Sequence, residues 1–348
     1  MILDVGWHGS HKGEVYAKAF LDYLQGLSDS ELRQHLDTHY TSCSTLERCL
    51  RYQPGQFTRL PNRYYQFRHG GIDFFALDSN TFNAPQALPD TETGQRLRQH
   101  LLKTRQSLME QKTEALRAAV ETADLEIEDA YRQVEQIEEQ ILDIDKQLAH
   151  ETEAVVDIEQ LTWLKQQLIQ SWRDPDARGR ILFLHYPPYV TEATKWYQGQ
   201  TLVVRQNLRW VLNGVQGEVG DISQGRSIVD LVINGHAHCL EYLKTGDTGH
   251  ADANLNWVIC GGSGFSLRRQ RLEGPELTEK QEGETERIVA RSHLYIGRSG
   301  QGSQKHRSYS GLRIDIKAGT PPKIILQPLV AERFQHQWQT HVLDAIDI

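Results

Sequence analysis

At 348 residues, with 39% apolar and 24% charged residues, the chain is long enough to bury a real core as one large globular domain or two ordinary ones. A formal charge of −8 without any sustained Lys/Arg stripe argues against a nucleic-acid partner. No apolar run reaches the length of a membrane span, the first residues do not read as a signal peptide, and four cysteines (Cys43, Cys49, Cys239, Cys260) show neither framework nor Cys-x-x-Cys spacing, which fits a reducing, cytoplasmic setting.

After a short apolar start (Met1-Ile2-Leu3), residues 10–60 read as polar and helical. Tyr16, Phe20, Leu21 and Leu24 recur at helical spacing, and Ser28 or Ser30 is placed to cap a short helix containing Leu32 and Leu36. Tyr64-Tyr65-Gln66-Phe67 and Ile72-Asp73-Phe74-Phe75-Ala76-Leu77 flank Arg68-His69-Gly70-Gly71, which predicts a hairpin. From Gln95 to Asp174 there is neither glycine nor proline. Within this stretch Ile127, Tyr131, Val134, Ile137, Ile141, Ile144 and Leu148 follow one another at spacings of three or four. Such a seam needs a cover, either an antiparallel helical hairpin folding near Glu121–Asp124 or a second chain; the hairpin is favoured because both ends must return to one domain.

Asp157-Ile158-Glu159-Gln160 has the pattern of a capping box opening a helix through Trp163, Leu164, Leu168 and Trp172. A strand at 181–184, a helical stretch at 203–213 and strands at 228–233 and 257–260 follow. Residues 266–308 read as polar loop, and Leu312–Ile316 and Lys323–Leu326 as late strands. Alternating strands and helices first and β-rich segments later predict a mixed α/β domain.

Two strand ends carry the chemistry. Ile181-Leu182-Phe183-Leu184 runs into His185-Tyr186-Pro187-Pro188-Tyr189, and Leu231-Val232-Ile233-Asn234 into Gly235-His236-Ala237-His238. Ligands collect at the carboxyl ends of parallel strands, and neutral imidazole suits zinc, iron and manganese. An isolated Gly-His-x-His pair would default to solvated turn histidines in a chain with 15 of them, and a lone His185 to a satisfied core histidine; it is the pairing of the two elements that argues for a site.

These two segments resemble the last two motifs of the calcineurin-like metallophosphoesterases, purple acid phosphatases included. Arg63-Tyr64-Tyr65-Gln66-Phe67 with Phe74-Phe75-Ala76-Leu77-Asp78-Ser79-Asn80 is similar to that family's hairpin and Leu-Asp-Ser strand. Gln160-Leu161-Thr162-Trp163-Leu164 resembles its following helix, and Gly261-Gly262-Ser263-Gly264 its late glycine turn. The resemblance spans roughly residues 60–94 and 157–265. It implies an α/β fold built as a partial metallophosphoesterase-like β-sandwich flanked by helices, into which the periodic seam above reads as a long helical coiled-coil hairpin insertion. The corresponding domains are 1–94 with 157–348, and 95–156 for the insertion. It also implies hydrolysis of phosphate mono- or diesters at two divalent metal ions (Fe, Zn or Mn), with His185 and His236 on one ion and His238 on the other. Asp78 is not a ligand in the family and reads as structural.

The family's upstream motifs, Asp-x-His, Gly-Asp and Gly-Asn-His, have no intact copy in place. Gly6-Trp7-His8 stands nearest the third, with Trp7 where the ligand Asn belongs and His8 in the place of the general-acid histidine. Asp37-Thr38-His39 sits in a helical, polar segment and is a decoy. The expectation is an N-terminally truncated domain, impaired as this chain. Three neutral imidazoles cannot offset the repulsion between two cations, although one zinc on His185, His236 and His238 is conceivable. Strands 181–184 and 228–233 would then expose an unpaired edge. The expected partners are a small phosphorylated substrate and either a coiled-coil partner or the missing N-terminal segment, with no nucleic acid and no membrane. The alternative is a pseudo-phosphatase or scaffold whose 95–156 helices bind another protein.

Overall fold

The computed structural model describes residues 22–23, 25–42, 48–50 and 64–348, except 86, 122–123, 150–155, 265, 281–284, 301–303 and 335–336. His8 with its Gly6-Trp7 neighbours, and the spacing of Tyr16, Phe20, Leu21 and Leu24, lie outside the described residues. The chain divides into two compact units, Met1–Arg63 and Tyr64–Ile348.

The first unit holds helix α1 (Asp29–His39) and an antiparallel pair, β1 (Tyr40–Ser42) and β2 (Arg48–Leu50). Ser28 is the cap: the Glu31 N–H donates to its Oγ at 3.4 Å, and its own N–H donates to Glu31 Oε2 at 2.9 Å. That reciprocal exchange satisfies two orphan donors of the first turn. Asp37-Thr38-His39 falls at the end of this helix rather than of a strand.

The second unit is a mixed α/β structure in three layers. Its central sheet has eight strands: β3 (Tyr65–His69), β4 (Ile72–Ala76), β5 (Gly179–Leu184), β6 (Leu231–Asn234), β7 (Leu240–Thr245), β8 (Asn256–Cys260), β9 (Glu276–Glu279) and β10 (Arg287–Ile296). Their order is β3-β4-β5-β6-β8-β7-β10-β9, parallel from β4 to β8 and antiparallel elsewhere. Alternate residues serve the two faces. Along β5, Leu182 and Leu184 join the core beneath helices α4 (Ile158–Arg173) and α5 (Gly199–Ser223), while Ile181 and Phe183 face the opposite core. That second core is closed by a smaller sheet of β11 (Arg298–Ser299), β12 (His306–Ile316), β13 (Ile324–Phe334), β14 (Gln337–Val342) and β15 (Ile346–Asp347). Near-continuous apolar runs such as Ile181–Leu184 follow from burial on both faces.

Three expectations are corrected. Strands β5 and β6 present no free edge, because β4 flanks β5 and β8 flanks β6, both in parallel register. Residues 266–308 are not mainly loop: β9 and the ten-residue β10 extend the central sheet there. Their buried members, Leu277, Val289, Ala290 and Ile296, are spaced among Arg and Glu residues that face outward, which hid the period. Helix α5 runs well past 203–213 despite Gly214, Gly217 and Gly220. Val203, Val204, Leu208, Val211, Leu212, Val215 and Val219 keep one face buried, which outweighs the propensity cost of the glycines.

Helices α2 (Glu92–Glu121) and α3 (Asp124–Ala149) precede α4. Helix α2 ends at Glu121 and α3 begins at Asp124, and the residues between them lie outside the described ones. Leu108, Ala115, Val134, Ile137 and Ile144 are buried together between the two helices, with Arg105–Asp145 and Lys112–Glu138 ion pairs alongside. Among the described residues no helix is long and apolar enough to cross a membrane.

Candidate functional site

The parallel register places Leu184 of β5 beside Asn234 of β6, so the residues just past the two strand ends are neighbours. The Gly235 N–H donates to the His185 carbonyl at 3.1 Å, and Asn234 Nδ2 donates to the Leu184 carbonyl at 3.3 Å. His236 follows at φ 63°, a left-handed conformation uncommon for a side chain of its size. Its ring lies 5.1 Å from that of His185, edge to face, and 4.3 Å from Tyr186. Among the described residues, buried His236 Nε2 has no hydrogen-bond partner.

His238, two residues on, is oriented from behind. Its Nδ1 lies 3.1 Å from the carbonyl of Ser266, which can only accept, so Nδ1 carries the proton and Nε2 keeps a free lone pair. Ser266 is 4% exposed and itself at φ 63°. A backbone carbonyl fixing one ring nitrogen is the usual support for an imidazole whose other nitrogen is a ligand.

The turn after β5 is anchored on three sides. Ser79 Oγ, from the 3-10 turn after β4, accepts the Tyr186 N–H at 3.1 Å. That turn is capped by Asp78, whose Oδ1 accepts the Asn80 N–H at 3.1 Å. Gln160 of α4 closes on the Asp78 N–H, the Asp78 carbonyl and Thr81 Oγ1. In the Asp157-x-x-Gln160 box, Asp157 Oδ1 accepts the Gln160 N–H at 3.0 Å, and Gln160 Nε2 donates to Asp157 Oδ2 at 3.2 Å as well as to the hairpin. Tyr189 packs against Trp257 at 4.9 Å, with its hydroxyl on Asp252 and Arg209. Beyond it, the Thr191 N–H and Oγ1 donate to the buried carboxyl of Glu241 on β7.

Glycine is required where loops touch. A Cβ on Gly235 would lie 3.2 Å from His185 Nδ1, so Gly235→Ala is expected to tilt that ring at a stability cost of about 1 kcal/mol. Imidazole 1H–15N NMR spectra of the variant would then move at His185; superimposable spectra would count against this packing.

The three imidazoles are held neutral. Burial is the largest cause of lowered pKa for His185, His236 and His238, with Lys195 adding to it in each case. Arg268 adds to it at His236 and His238, and its N–H donates to the His238 carbonyl at 3.0 Å.

The helix pair covers this corner. Glu135, Glu139 and Asp143 stand one turn apart on α3. Glu135 Oε2 accepts from Ser266 Oγ at 3.3 Å. Glu139 pairs with Lys195 at 3.2 Å and Arg268 at 2.8 Å. Asp143 Oδ2 accepts the Gly199 N–H at 3.0 Å, capping α5, whose own Gln198 supplies no cap. Sequence reasoning missed Glu139, Lys195, Arg268 and Ser266. The four-residue repeat of acids was visible, but it reads as an ordinary solvated helix face; the cations lie in loops without periodicity.

For a two-metal centre the described residues offer the three imidazoles alone. His185 and His236 meet edge to face at 68°, His238 turns toward Ser266, and among the described residues no group of three or more His, Cys, Asp or Glu side chains is arranged to hold a metal ion. A cleft of about 270 Å³ lies elsewhere, between the end of β10 and the smaller sheet, lined among others by Ile296, Ser308, Glu332 and His341.

No family model and no curated protein matches the chain. Among solved structures, one titled "GAP50 the anchor in the inner membrane complex of Plasmodium" aligns at TM-score 0.28 and 12% identity over 82% of this chain and 56% of that one. The structure of PhoD aligns at TM-score 0.36 and 11% identity, over 83% and 46%. The chain spans about half the length of these solved chains.

Proposed function

We infer that residues 64–348 are a phosphoesterase-type hydrolytic domain, of the metallophosphoesterase kind, that acts weakly or not at all as this chain. The observation that carries the reading is the pair of imidazoles from His185 and His236, 5.1 Å apart just past the carboxyl ends of adjacent parallel strands, with the supported His238 two residues on. The substrate class is a small phosphate mono- or diester. Divalent Fe, Zn or Mn would polarise its phosphoryl oxygens, and the neutral rings are the donors this chain offers. Among the described residues no carboxylate joins these rings in a group that would hold and balance such ions. Within these residues the 95–156 segment is a coiled-coil hairpin inserted between 64–94 and 157–348.

The test is metal content and turnover of the purified chain. Equilibration with Mn²⁺ or Zn²⁺ is expected to leave less than one equivalent bound, lost in His236→Asn, and p-nitrophenyl phosphate is expected to hydrolyse near the buffer rate. Turnover on the order of 1 s⁻¹ or more would overturn the impairment. Complete absence of metal would favour the second reading, a scaffold, for which Leu97, Leu102, Met109, Leu116, Tyr131 and Leu142 remain 39–52% exposed along the helix pair.

A further inference from the structure

We propose that Lys195 and Arg268 form a seat for a phosphoryl dianion beside the three imidazoles, and that Glu139 of α3 occupies this seat in the free protein. The inference rests on the phosphoesterase reading and adds to it the group that grips the substrate and the element that withholds it.

Both cations are withdrawn from water: the Lys195 side chain is 6% exposed and that of Arg268 3%. They come from different loops. Lys195 follows the His185 turn, and Arg268 is tied through its N–H to the His238 carbonyl. Two buried cations converging from separate loops need an anion between them, because each loses much of its hydration. The anion present is the Glu139 carboxylate, one oxygen on Lys195 Nζ at 3.2 Å and the other on Arg268 Nη2 at 2.8 Å.

That occupant is a poor match in charge and in number of oxygens. One ion-paired negative charge stands against two positive ones, since Asp143, which also acts on Lys195, is held toward its neutral form by burial. Glu192, the other acid near both cations, is fully buried and held toward its neutral form by that burial. Among the described residues, buried Arg268 Nη1 has no hydrogen-bond partner. A phosphoryl group supplies a second charge and a third oxygen, and the planar guanidinium is suited to hold it through two parallel N–H bonds. Its position beside His238 is the one Glu139 now takes, since that carboxylate acts electrostatically on the His238 ring.

Glu139 is also the group able to leave. Its side chain is 40% exposed, and it belongs to the helix pair, whereas Lys195 and Arg268 sit in loops tied to the central sheet. Glu135 on Ser266 and Asp143 on Gly199 latch the same helix one turn to either side. Ligand and helix therefore compete for one place, and the apparent affinity of the free protein is lowered by the fraction of molecules in which the place is taken.

The probe is inorganic phosphate, titrated calorimetrically into the metal-free full chain. Glu139→Gln is expected to tighten binding about tenfold or more. Glu139→Asp, which keeps the charge but draws it back, should fall between that variant and wild type. Adding Lys195→Gln or Arg268→Lys to Glu139→Gln should weaken phosphate again by about tenfold, the latter through loss of the fork. Circular dichroism checks folding, and the Asp variant carries the test should the Gln variant not fold. Unchanged affinity in both Glu139 variants, or indifference of the Glu139→Gln background to loss of Lys195, overturns the proposal. Because the titration uses neither metal nor turnover, such a failure leaves the histidine reading standing. Conversely, tightened phosphate binding alongside failed metal binding retains the seat and removes the hydrolase.

Discussion

Gly261→Ala is expected to cost about 3 kcal/mol of stability and to disorder the His236–His238 turn. A Cβ at that position would lie 2.0 Å from the Ala237 carbonyl oxygen, far inside contact distance, and Ala237 is the residue between the two histidines. The clash cannot be relieved locally. The Gly261 N–H donates to the Cys239 carbonyl at 2.9 Å, and the β7–β8 register pairs Leu240 with Cys260 on either side of the contact. Moving Ala237 means turning both imidazoles. Gly264, three residues on, would present a methyl group to open space, with nothing within 4 Å of it, and serves as the control, with an expected change within about 0.5 kcal/mol. Urea titration reads both variants, as a lower midpoint at unchanged slope for the first. Equal midpoints for the two would remove the glycine turn from the description of the site.

Glu241→Gln is expected to stabilise the protein by about 3 kcal/mol near pH 8 and by little below pH 4.5. Burial raises this carboxyl from 4.5 to about 7, against the opposing hydrogen bonds from Thr191 and Ser292. Below 4.5 both folded and unfolded states are protonated and no penalty arises. Between 4.5 and about 7 the unfolded chain ionises while the folded protein resists, so wild-type stability falls as pH rises. Above about 7 the carboxyl is charged in both states and the penalty is complete. Glutamine keeps an oxygen for the Thr191 donors without any charge. Thermal or urea unfolding of both proteins across this range measures the difference, and a gap that does not vary with pH would refute the assignment. The location matters, because Glu241 holds the loop that begins at His185 onto β7, the strand that begins just after His238.

Much of the central sheet was legible because its signals are short-range. Ile181–Leu184 and Leu231–Asn234 are apolar runs stopped by turn residues, and the Gly70-Gly71 hairpin is set by two adjacent positive φ angles. The same locality made His185, His236 and His238 visible, since each lies within four residues of a strand end. What remained hidden depends on partners distant in the chain. Strand β10 buries Val289, Ala290 and Ile296 among charged neighbours, and its identity as a strand comes from lying between β7 and β9. The acids of α3 are indistinguishable by spacing from solvent-facing glutamates; only packing against the 195 and 268 loops gives Glu139 two cations. Asp143 likewise caps a helix that begins 56 residues later, a role no local pattern announces.

The parallel pairing of β5 with β6 has a further consequence. Neighbouring strands in any sheet stand about 4.8 Å apart, and the imidazoles that leave these two strands are separated by nearly that interval. Backbone pitch, more than side-chain rotamer, thus acts as the ruler for the pair.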